Sequence, residues 1–262
     1  MKLGCSSQSF NLAFQQKRTD IFSWIDYCAA TLELDGIEIE DKHFPSPPDD
    51  SLPALRERVA ERRLVLSSVT IMNNFGLATP AGRAAQVEYV CRWIDRARTL
   101  GSSRVRIFAG WPQSADREAL WGAMIECLRQ VSRCAEQAGV TLCLENHNHG
   151  GFVQVAEDVL RIFREVESRW LRLNLDTGNY LDGLESIEKT ASYAAHVHAK
   201  LRDIAADGSE KTLDYPAIVN ALRSAHYDAF ISLEYEGRQD PFVVVPRAVD
   251  YFRKLLRGGQ TH

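Results

Sequence analysis

Four acidic or histidine residues stand at the ends of apolar segments, and their types make them the best candidates for chemistry in this chain. They are Glu145 in LCLENHNHG, Asp176 in LRLNLDTGN, His198 in AHVHAKLRD and Glu234 in FISLEYEG. Such segments predict strands of a parallel sheet that is covered on both faces, where an ionisable group needs a partner or a metal ion. Two glutamates, an aspartate and a histidine form a ligand set for a divalent cation that prefers oxygen and imidazole.

The strands that would position these residues recur along the whole chain. Short apolar segments between turn signals predict eight strands, which are Lys2–Ser7, Gly36–Glu40, Val65–Met72, Arg104–Ala109, Val140–Glu145, Leu171–Asp176, Ala195–Lys200 and Ala229–Glu234. Eight strand-then-helix units in 262 residues match the usual size of a (β/α)8 barrel. The competing doubly wound sheet would normally have a glycine-rich first turn, and GCSSQSF is not one. We therefore predict a single-domain α/β (β/α)8 TIM barrel over residues 1–262.

Helical spacing occupies most intervals between these strands. The predicted helices are Asp20–Leu32, Ala81–Leu100, Ser114–Ala138, Ala156–Ser168, Gly183–Tyr193, Asp214–Ala225 and Val243–Leu256. Thr79 and Pro80 predict the cap and first position of the second helix, and Gly139 is typical of the residue after a helix end. Pro246 is expected to begin the last helix, and His43–Ser51 (HFPSPPDDS) reads as a proline-rich loop.

Composition and charge narrow the class of protein. The net charge of -4 and the pI near 6.0 indicate no nucleic-acid partner. The N-terminal MKLGCSSQSF is not an apolar leader, and no stretch approaches the roughly 18 apolar residues of a membrane span, so we expect a cytoplasmic protein without membrane contact. The six cysteines form no C-x-x-C pair, and we expect all of them to be reduced and mostly buried: Cys5, Cys28, Cys91, Cys127, Cys134 and Cys143.

In a barrel of this kind, functional groups gather at the C-terminal ends of the strands. The four candidate residues lie at or near the ends of predicted strands five to eight, and neighbouring strands are about 4.8 Å apart. Four consecutive strand ends can therefore direct four side chains at one ion above the barrel mouth.

The segments ENHNHGG, LDTGN, HVHAK and LEYEG, taken in order, resemble signatures of the xylose-isomerase-like barrels, the sugar (phosphate) isomerase/epimerase family. The architectural resemblance covers the whole chain, whereas the specific motifs lie in its second half. It implies a metal site of Glu145, Asp176, His198 and Glu234. It also implies that Glu145 and Glu234 serve as acid and base on opposite faces of a metal-bound sugar or polyol.

The chemistry implied is proton transfer next to a carbonyl group. A divalent cation (Mn2+, Mg2+ or Co2+, with Zn2+ as an alternative) stabilises the enediolate formed when the proton leaves. One glutamate removes the proton and the other returns one, which epimerises the centre or isomerises aldose and ketose. A dehydratase of the inosose type is the alternative on the same scaffold, and a non-catalytic sugar-binding barrel and a nuclease are the others. Strand three ends without the extra histidine that the family's trinuclear nucleases use.

Five further residues are candidates for binding substrate, each with a structural alternative. His147 contacts substrate or is a turn histidine, and Trp111 walls the pocket or packs under the helices. Arg106 pairs with Glu145 or faces outward to a helix. Lys200 holds a hydroxyl or phosphate group, or is a solvated lysine at a strand end. Asn179 replaces the histidine of many family members and suits a hydroxyl group better than a metal ion.

Neighbouring residues of the same type leave two choices open. His196 shares the inward parity of His198, and Glu236 shares that of Glu234; the resemblance favours His198, and Glu234 is preferred because it directly follows the apolar run. Asp176 in DTGN can instead form an Asx-type turn.

The apolar segment Phe242–Val245 is a candidate interface of a homo-oligomer.

Overall fold

The computed structural model describes residues 1–114 and 116–258. Within them, eight parallel strands pair in sequence order and close into a barrel, with β1 hydrogen-bonded to both β2 and β8. The strands are β1 Lys2–Ser6, β2 Gly36–Glu40, β3 Val65–Thr70, β4 Arg104–Phe108, β5 Thr141–Glu145, β6 Leu171–Asp176, β7 Ala194–Leu201 and β8 Phe230–Tyr235. All eight coincide with predicted strands to within two residues at either end, and the predicted barrel is confirmed.

The helices surround the barrel and cover its outer face. They are α1 Asn11–Gln15, α2 Ile21–Ala30, α3 Leu52–Glu61, α4 Pro80–Leu100, α5 Glu118–Ala138, α6 Ala156–Val166, α7 Leu184–Thr190, α8 Tyr215–Ser224 and α9 Pro241–Arg257. Short 3-10 turns follow β1 and β2, precede α3 and continue α7. No helix in the described part of the chain is long and apolar enough to cross a membrane.

Helix boundaries follow the capping chemistry of the sequence. Thr79 accepts a hydrogen bond from the Gly82 amide at the start of α4, as its position before Pro80 predicts. Gly139 ends α5 with a φ of 68°, a left-handed conformation that suits glycine. The predicted start of α5 at Ser114 is too early, because the helix begins at Glu118; Ala115 lies outside the described residues.

Two helices are missing from the predictions, and the placement of one proline is wrong. α1 and α3 have no counterpart among the predicted helices, although Leu52, Leu55 and Val59 in α3 show the helical spacing of a buried face. Pro246 lies inside α9 rather than at its beginning. That helix begins five residues earlier, at Pro241. The Asp240 side chain caps the helix by accepting a hydrogen bond from the Phe242 amide, and Pro241 occupies the first helical position.

Side chains inside the barrel are unusually polar for this fold. Along β7, Val197 and Ala199 alternate with His196, His198 and Lys200, and all five are buried. The period of two places the apolar set against the helices and the polar set inside the barrel. The usual interior of such a barrel is filled by branched aliphatic side chains. Polar side chains in the interior require partners, and these partners build the site described below.

The prediction that every cysteine is reduced is wrong for one pair. Cys91 in α4 and Cys134 in α5 form a disulfide that joins the two longest helices. Their residues are separated by 43 positions in sequence, so only the packing of α4 on α5 brings them together. The remaining cysteines, Cys5, Cys28, Cys127 and Cys143, are free and buried, as expected.

Gly110 closes the turn after β4 in a backbone conformation that disfavours other residues. Its φ is 101°, and a Cβ atom there would lie 2.2 Å from the Asn74 side-chain oxygen and 2.6 Å from the Phe75 amide nitrogen. The same Asn74 oxygen accepts hydrogen bonds from the amides of Gly76 and Trp111. This glycine therefore keeps the loops after β3 and β4 in contact.

We expect Gly110→Ala to lower the free energy of unfolding by about 2 kcal/mol, because the added methyl group suffers both strain and collision. Urea unfolding measures the change. Two other glycines serve as controls: Gly150→Ala has a positive φ but open space, and Gly122→Ala lies in α5 with open space. We expect a smaller loss for the first and a gain of about 1 kcal/mol for the second. Equal losses at 110 and 150 would show that close packing at Gly110 is unimportant.

Candidate active site

The C-terminal ends of β5 to β8 bring the four sequence candidates into one buried cluster. Ligand atoms of Glu145, Asp176 and His198 all lie within 4.8 Å of one another. His198 Nδ1 is 3.1 Å from Glu145 Oε2 and 3.4 Å from Glu234 Oε2. All four side chains are at most 3% exposed. Three carboxylates therefore lie near Nδ1 of the imidazole ring.

The other ring nitrogen of His198, Nε2, faces Glu38 from β2. One Glu38 oxygen lies 2.8 Å from His198 Nε2, and the other lies 2.8 Å from His196 Nε2. His196 Nε2 is also 3.0 Å from the Ser232 hydroxyl. In a neutral ring whose Nε2 proton points at Glu38, Nδ1 of His198 keeps a lone pair that faces the space between the other carboxylates, where a cation could accept it. The structure thus separates the pair: His198 faces the cluster and His196 supports it.

The charge of Glu38 is stabilised by these two histidines. Burial alone would raise the pKa of Glu38, but the His198 and His196 rings override burial and lower it well below the ordinary value. Burial alone would lower the pKa of His198, and the nearby Glu38, Glu234 and Glu145 carboxylates instead raise it well above 6.5. Acid and imidazole thus stabilise each other inside the barrel.

Arg106 from β4 holds Glu145 in place. Its Nε lies 3.2 Å from Glu145 Oε2, and its Nη2 lies 3.4 Å from Glu40 Oε1. The Asn174 amide donates a further hydrogen bond of 2.8 Å to the same Glu145 oxygen. Burial would raise the pKa of Glu145, but Arg106 and His198 lower it below its ordinary value. Arg106 therefore faces inward, and the outward-facing alternative is wrong.

Lys200 from β7 lies inside the cluster instead of in solvent. Its ammonium is 3.0 Å from Asp176 Oδ2 and 3.2 Å from Glu236 Oε2, and it also contacts Glu234 Oε2. The side chain is 3% exposed, so the alternative of a solvated lysine is wrong. Burial would lower the pKa of Lys200, but the carboxylates raise it well above 10.5. Burial would also raise the pKa of Glu234, which Lys200 and His198 instead lower well below its usual value.

Asp176 is fixed by the loop that follows it. Its Oδ1 accepts a hydrogen bond from the Gly178 backbone amide at 2.8 Å, so the Asx-type turn does form. Its Oδ2 accepts one from the Asn179 side-chain Nδ2 at 2.9 Å. Asn146 pairs with both the amide and the carbonyl of Asp176, at 2.8 and 2.9 Å, and ties the end of β5 to that of β6. Burial raises the pKa of Asp176 to about 8, although Lys200 opposes the rise. The carboxylate is thus positioned for the cluster by its own turn.

An aromatic wall stands beside the cluster on the side of β4 and β5. Trp111 packs 5.0 Å from the Phe108 ring and 5.1 Å from the His147 ring, centroid to centroid. Arg106 lies over the inner side of Phe108, 4.2 Å from its centroid. Burial lowers the pKa of His147, so its ring stays neutral near pH 7. Trp111 and His147 both lie in loops at the barrel mouth, where a bound molecule would meet them.

A groove leads away from the cluster between the loops after β1 and β8. Its volume is about 380 Å3, and its polar lining comes from Gln8, Asn11, Gln15, Glu236, Arg238 and Gln239. Glu236 joins the two regions, because it contacts Lys200 in the cluster and Gln8 in the groove. The polar lining offers amide, guanidinium and carboxylate groups, which suit hydroxyl groups.

Sequence reasoning missed Glu38, Glu40, Asn146 and Asn174. A signal for the two glutamates existed, because GIEIE in β2 places them two residues apart on one face of a strand. Asn174 likewise precedes Asp176 by two residues in β6. Their partners lie on other strands, and the one long-range pair expected in the cluster was Arg106 with Glu145.

A (β/α)8 barrel with acidic and imidazole side chains at its C-terminal mouth defines a class of proteins, and sequence comparison places the chain within it. Residues 27–255 match the family model of the xylose isomerase-like TIM barrel. The chain belongs to this family.

Individual relatives are distant in sequence. An inosose dehydratase of Geobacillus thermodenitrificans (strain NG80-2) is 22% identical over 173 residues, which cover 56% of each chain. The match thus spans about half the length of that curated relative. An L-ribulose 3-epimerase structure superposes with a TM-score of 0.80 at 20% identity over 98% of this chain and 95% of that one. The IolI protein with a zinc atom does so with a TM-score of 0.80 at 17% identity, over 98% and 97%. These structural likenesses show the shared fold.

The cluster fits a divalent cation by its donor chemistry. It offers carboxylate oxygens and one imidazole nitrogen within 4.8 Å, and a proton held on Nε2 by Glu38 would leave the Nδ1 lone pair for the cation. A second group of donors, Glu38, His196 and His198, lies deeper in the barrel. In the deeper group Glu38 already contacts both imidazole rings at 2.8 Å, so the cluster at the mouth, with more carboxylates, is the better candidate.

We expect Glu38→Gln to lower the affinity for Mn2+ by about 10- to 100-fold, as is usual when the partner of a ligating histidine is altered. A glutamine amide facing Nε2 would move the ring proton to Nδ1, the atom that faces the carboxylates. Isothermal titration with Mn2+ measures the affinity. Glu57→Gln, the same change on the exposed face of α3, serves as the control. An unchanged affinity in a folded Glu38→Gln protein would contradict this role of Glu38.

Proposed function

We propose that this protein is a metal-dependent enzyme that epimerises or isomerises a sugar or related hydroxy-carbonyl compound. The observation that carries the proposal is the placement of Glu145 and Glu234, which approach the same nitrogen of His198 from two different strands. Two ionised carboxylates at one site can remove and return a proton on different sides of a bound carbon. Membership of the xylose isomerase-like family and a fold shared with solved sugar epimerases support the proposal.

The proposed ligands of the cation are Glu145, Asp176, His198 and Glu234, and the cation is Mn2+, Mg2+ or Co2+, with Zn2+ as the alternative. When bound, it supplies a Lewis acid that polarises the substrate carbonyl group. The zinc atom in the IolI structure, which shares this fold, supports the assignment.

The proton transfers belong to the glutamates. Arg106 and Asn174 hold Glu145 Oε2, and the lowered pKa keeps this carboxylate ionised and able to accept a proton at neutral pH. Lys200 contacts Glu234 Oε2 and, by lowering the pKa of Glu234, keeps that carboxylate ionised as well. Return of the proton to the opposite side of the same carbon inverts it, and return to the neighbouring carbon exchanges ketose and aldose.

The substrate contacts of this proposal come from the wall and the groove. Trp111 and His147 shield one side of the reacting carbons from water. Asn179 holds Asp176 and leaves its own oxygen, 3.4 Å from an Arg202 nitrogen, near the mouth. The groove between α1 and the loop after β8 takes the remaining hydroxyl groups of the substrate.

A dehydratase is the second candidate, because the curated relative at 22% identity is an inosose dehydratase. The same proton removal, followed by loss of a neighbouring hydroxyl group, would expel water. Incubation with ketoses and inososes in D2O with Mn2+ separates the two reactions. Deuterium uptake with the hydroxyl groups retained indicates an epimerase or isomerase, and loss of water indicates the dehydratase.

We expect Glu145→Gln to lower kcat by about 100- to 10,000-fold while the protein stays folded, because the amide cannot accept the proton. Turnover of the Mn2+-loaded variant, with circular dichroism to check the fold, measures this outcome. Glu136→Gln, an exposed change on α5, is the matched control. Full activity of Glu145→Gln would refute its role as a base. A protein that binds no metal and whose sugar binding is unaffected by chelator would instead be a sugar-binding barrel.

We expect Gln15→Leu to raise KM about fivefold with little change in kcat, because the lost hydrogen bond lies far from the reacting carbons. Steady-state kinetics on a ketose or inosose that reacts in the D2O incubation measure the two constants. Gln137→Leu, on the exposed side of α5, is the control. A KM that stays the same would place the substrate outside the groove.

A further inference from the structure

Lys200 binds two of the carboxylates that the proposed function assigns to a cation. Its ammonium lies 3.0 Å from Asp176 Oδ2 and also contacts Glu234 Oε2. Its third partner, Glu236, lies 3.2 Å away and is 34% exposed at the edge of the groove. The lysine therefore places a positive charge among the ligands themselves.

The fold holds this lysine firmly in position. Its amide donates to Thr177 Oγ1 at 3.0 Å, and its carbonyl accepts the Tyr215 hydroxyl at 2.6 Å. The aliphatic part of the side chain passes over Gly178, where a Cβ atom would lie 2.6 Å from Lys200 Cγ and 2.7 Å from Cβ. The glycine in DTGN thus makes room for the lysine to reach the carboxylates.

Two cations cannot take the same carboxylate oxygens without cost. Like charges repel strongly when they are close and shielded from water. Lys200 neutralises Asp176 Oδ2 and Glu234 Oε2, and this Glu234 oxygen is also the one that faces His198 Nδ1 at 3.4 Å. A buried carboxylate that loses its ammonium partner destabilises the fold unless another cation replaces it.

We propose that Lys200 is an internal counter-cation that competes with the divalent metal ion for Asp176 and Glu234. The ammonium keeps the carboxylates together when the metal is absent, and it weakens metal binding so that the ion remains exchangeable. This inference rests on the proposed function, because it requires that a metal ion binds at this cluster.

The proposal predicts two opposite effects of removing the charge. Lys200→Met keeps an unbranched side chain over Gly178 and deletes the ammonium. We expect its Mn2+ dissociation constant to fall about tenfold, which corresponds to about 1.4 kcal/mol. We also expect its melting temperature in EDTA to fall by several degrees, because Asp176, Glu234 and Glu236 lose their shared partner.

Isothermal titration of EDTA-treated protein with Mn2+ measures affinity, and thermal unfolding with and without Mn2+ measures stability. The control is Lys211→Met, which deletes an exposed ammonium that pairs with Asp203 at 3.0 Å. We expect the control to change neither quantity. Lys200→Gln, which keeps a polar end without the charge, should resemble Lys200→Met in both.

The outcomes separate this inference from the proposed function. If the wild-type protein binds Mn2+ and both Lys200 variants bind it equally or more weakly, the competition is refuted and the metal site stands. If neither wild type nor variants bind Mn2+, the metal site and the competition both fail. Should the variants unfold in EDTA, they are purified with Mn2+ and challenged with chelator. Slower metal release than wild type supports the competition, and equal or faster release overturns it.

Discussion

Compensation of buried charge is the constraint on which this structure depends. Five carboxylates occupy the barrel interior where aliphatic side chains are usual, namely Glu38, Glu40, Glu145, Asp176 and Glu234. Each has a basic partner within 3.4 Å, drawn from Arg106, Lys200, Lys42 and the two histidines of β7. A buried carboxylate without such a partner would be costly, so the acids and bases must be placed together. The interior is thus a connected network in which every strand from β2 to β8, apart from β3, supplies a charged or amide side chain.

This network also orders the site from the inside outward. Glu38 contacts Nε2 of His198, and Nδ1 of the same ring faces Glu145 and Glu234. Arg106 contacts Glu145, and Lys200 contacts Glu234, so each glutamate has its own cationic partner. Because these groups are fixed by partners on other strands, their geometry is set before any substrate arrives, as a catalytic site requires.

Asparagine side chains extend the barrel where its strands stop. Asn146 pairs with both backbone groups of Asp176, and Asn73 pairs with both backbone groups of Phe108. An amide side chain can donate and accept as a peptide group does, so each one continues a ladder that the backbone has left. The loops that carry Trp111 and His147 are therefore attached to the barrel close to the site.

The sequence by itself determined the eight strands, their closure into a barrel and the four residues at the ends of β5 to β8. The strands and the residues that end them are local properties, since an apolar run of strand length and the polar residue after it are adjacent in the chain. Closure followed from the number of strand–helix units, which matches the usual size of this barrel. Only the tertiary structure decided the role of Glu38, the burial of Lys200 and the disulfide between Cys91 and Cys134. Each of these depends on a partner on another element, and a side chain's charge and contacts follow from the distance to that partner, which sequence spacing does not contain.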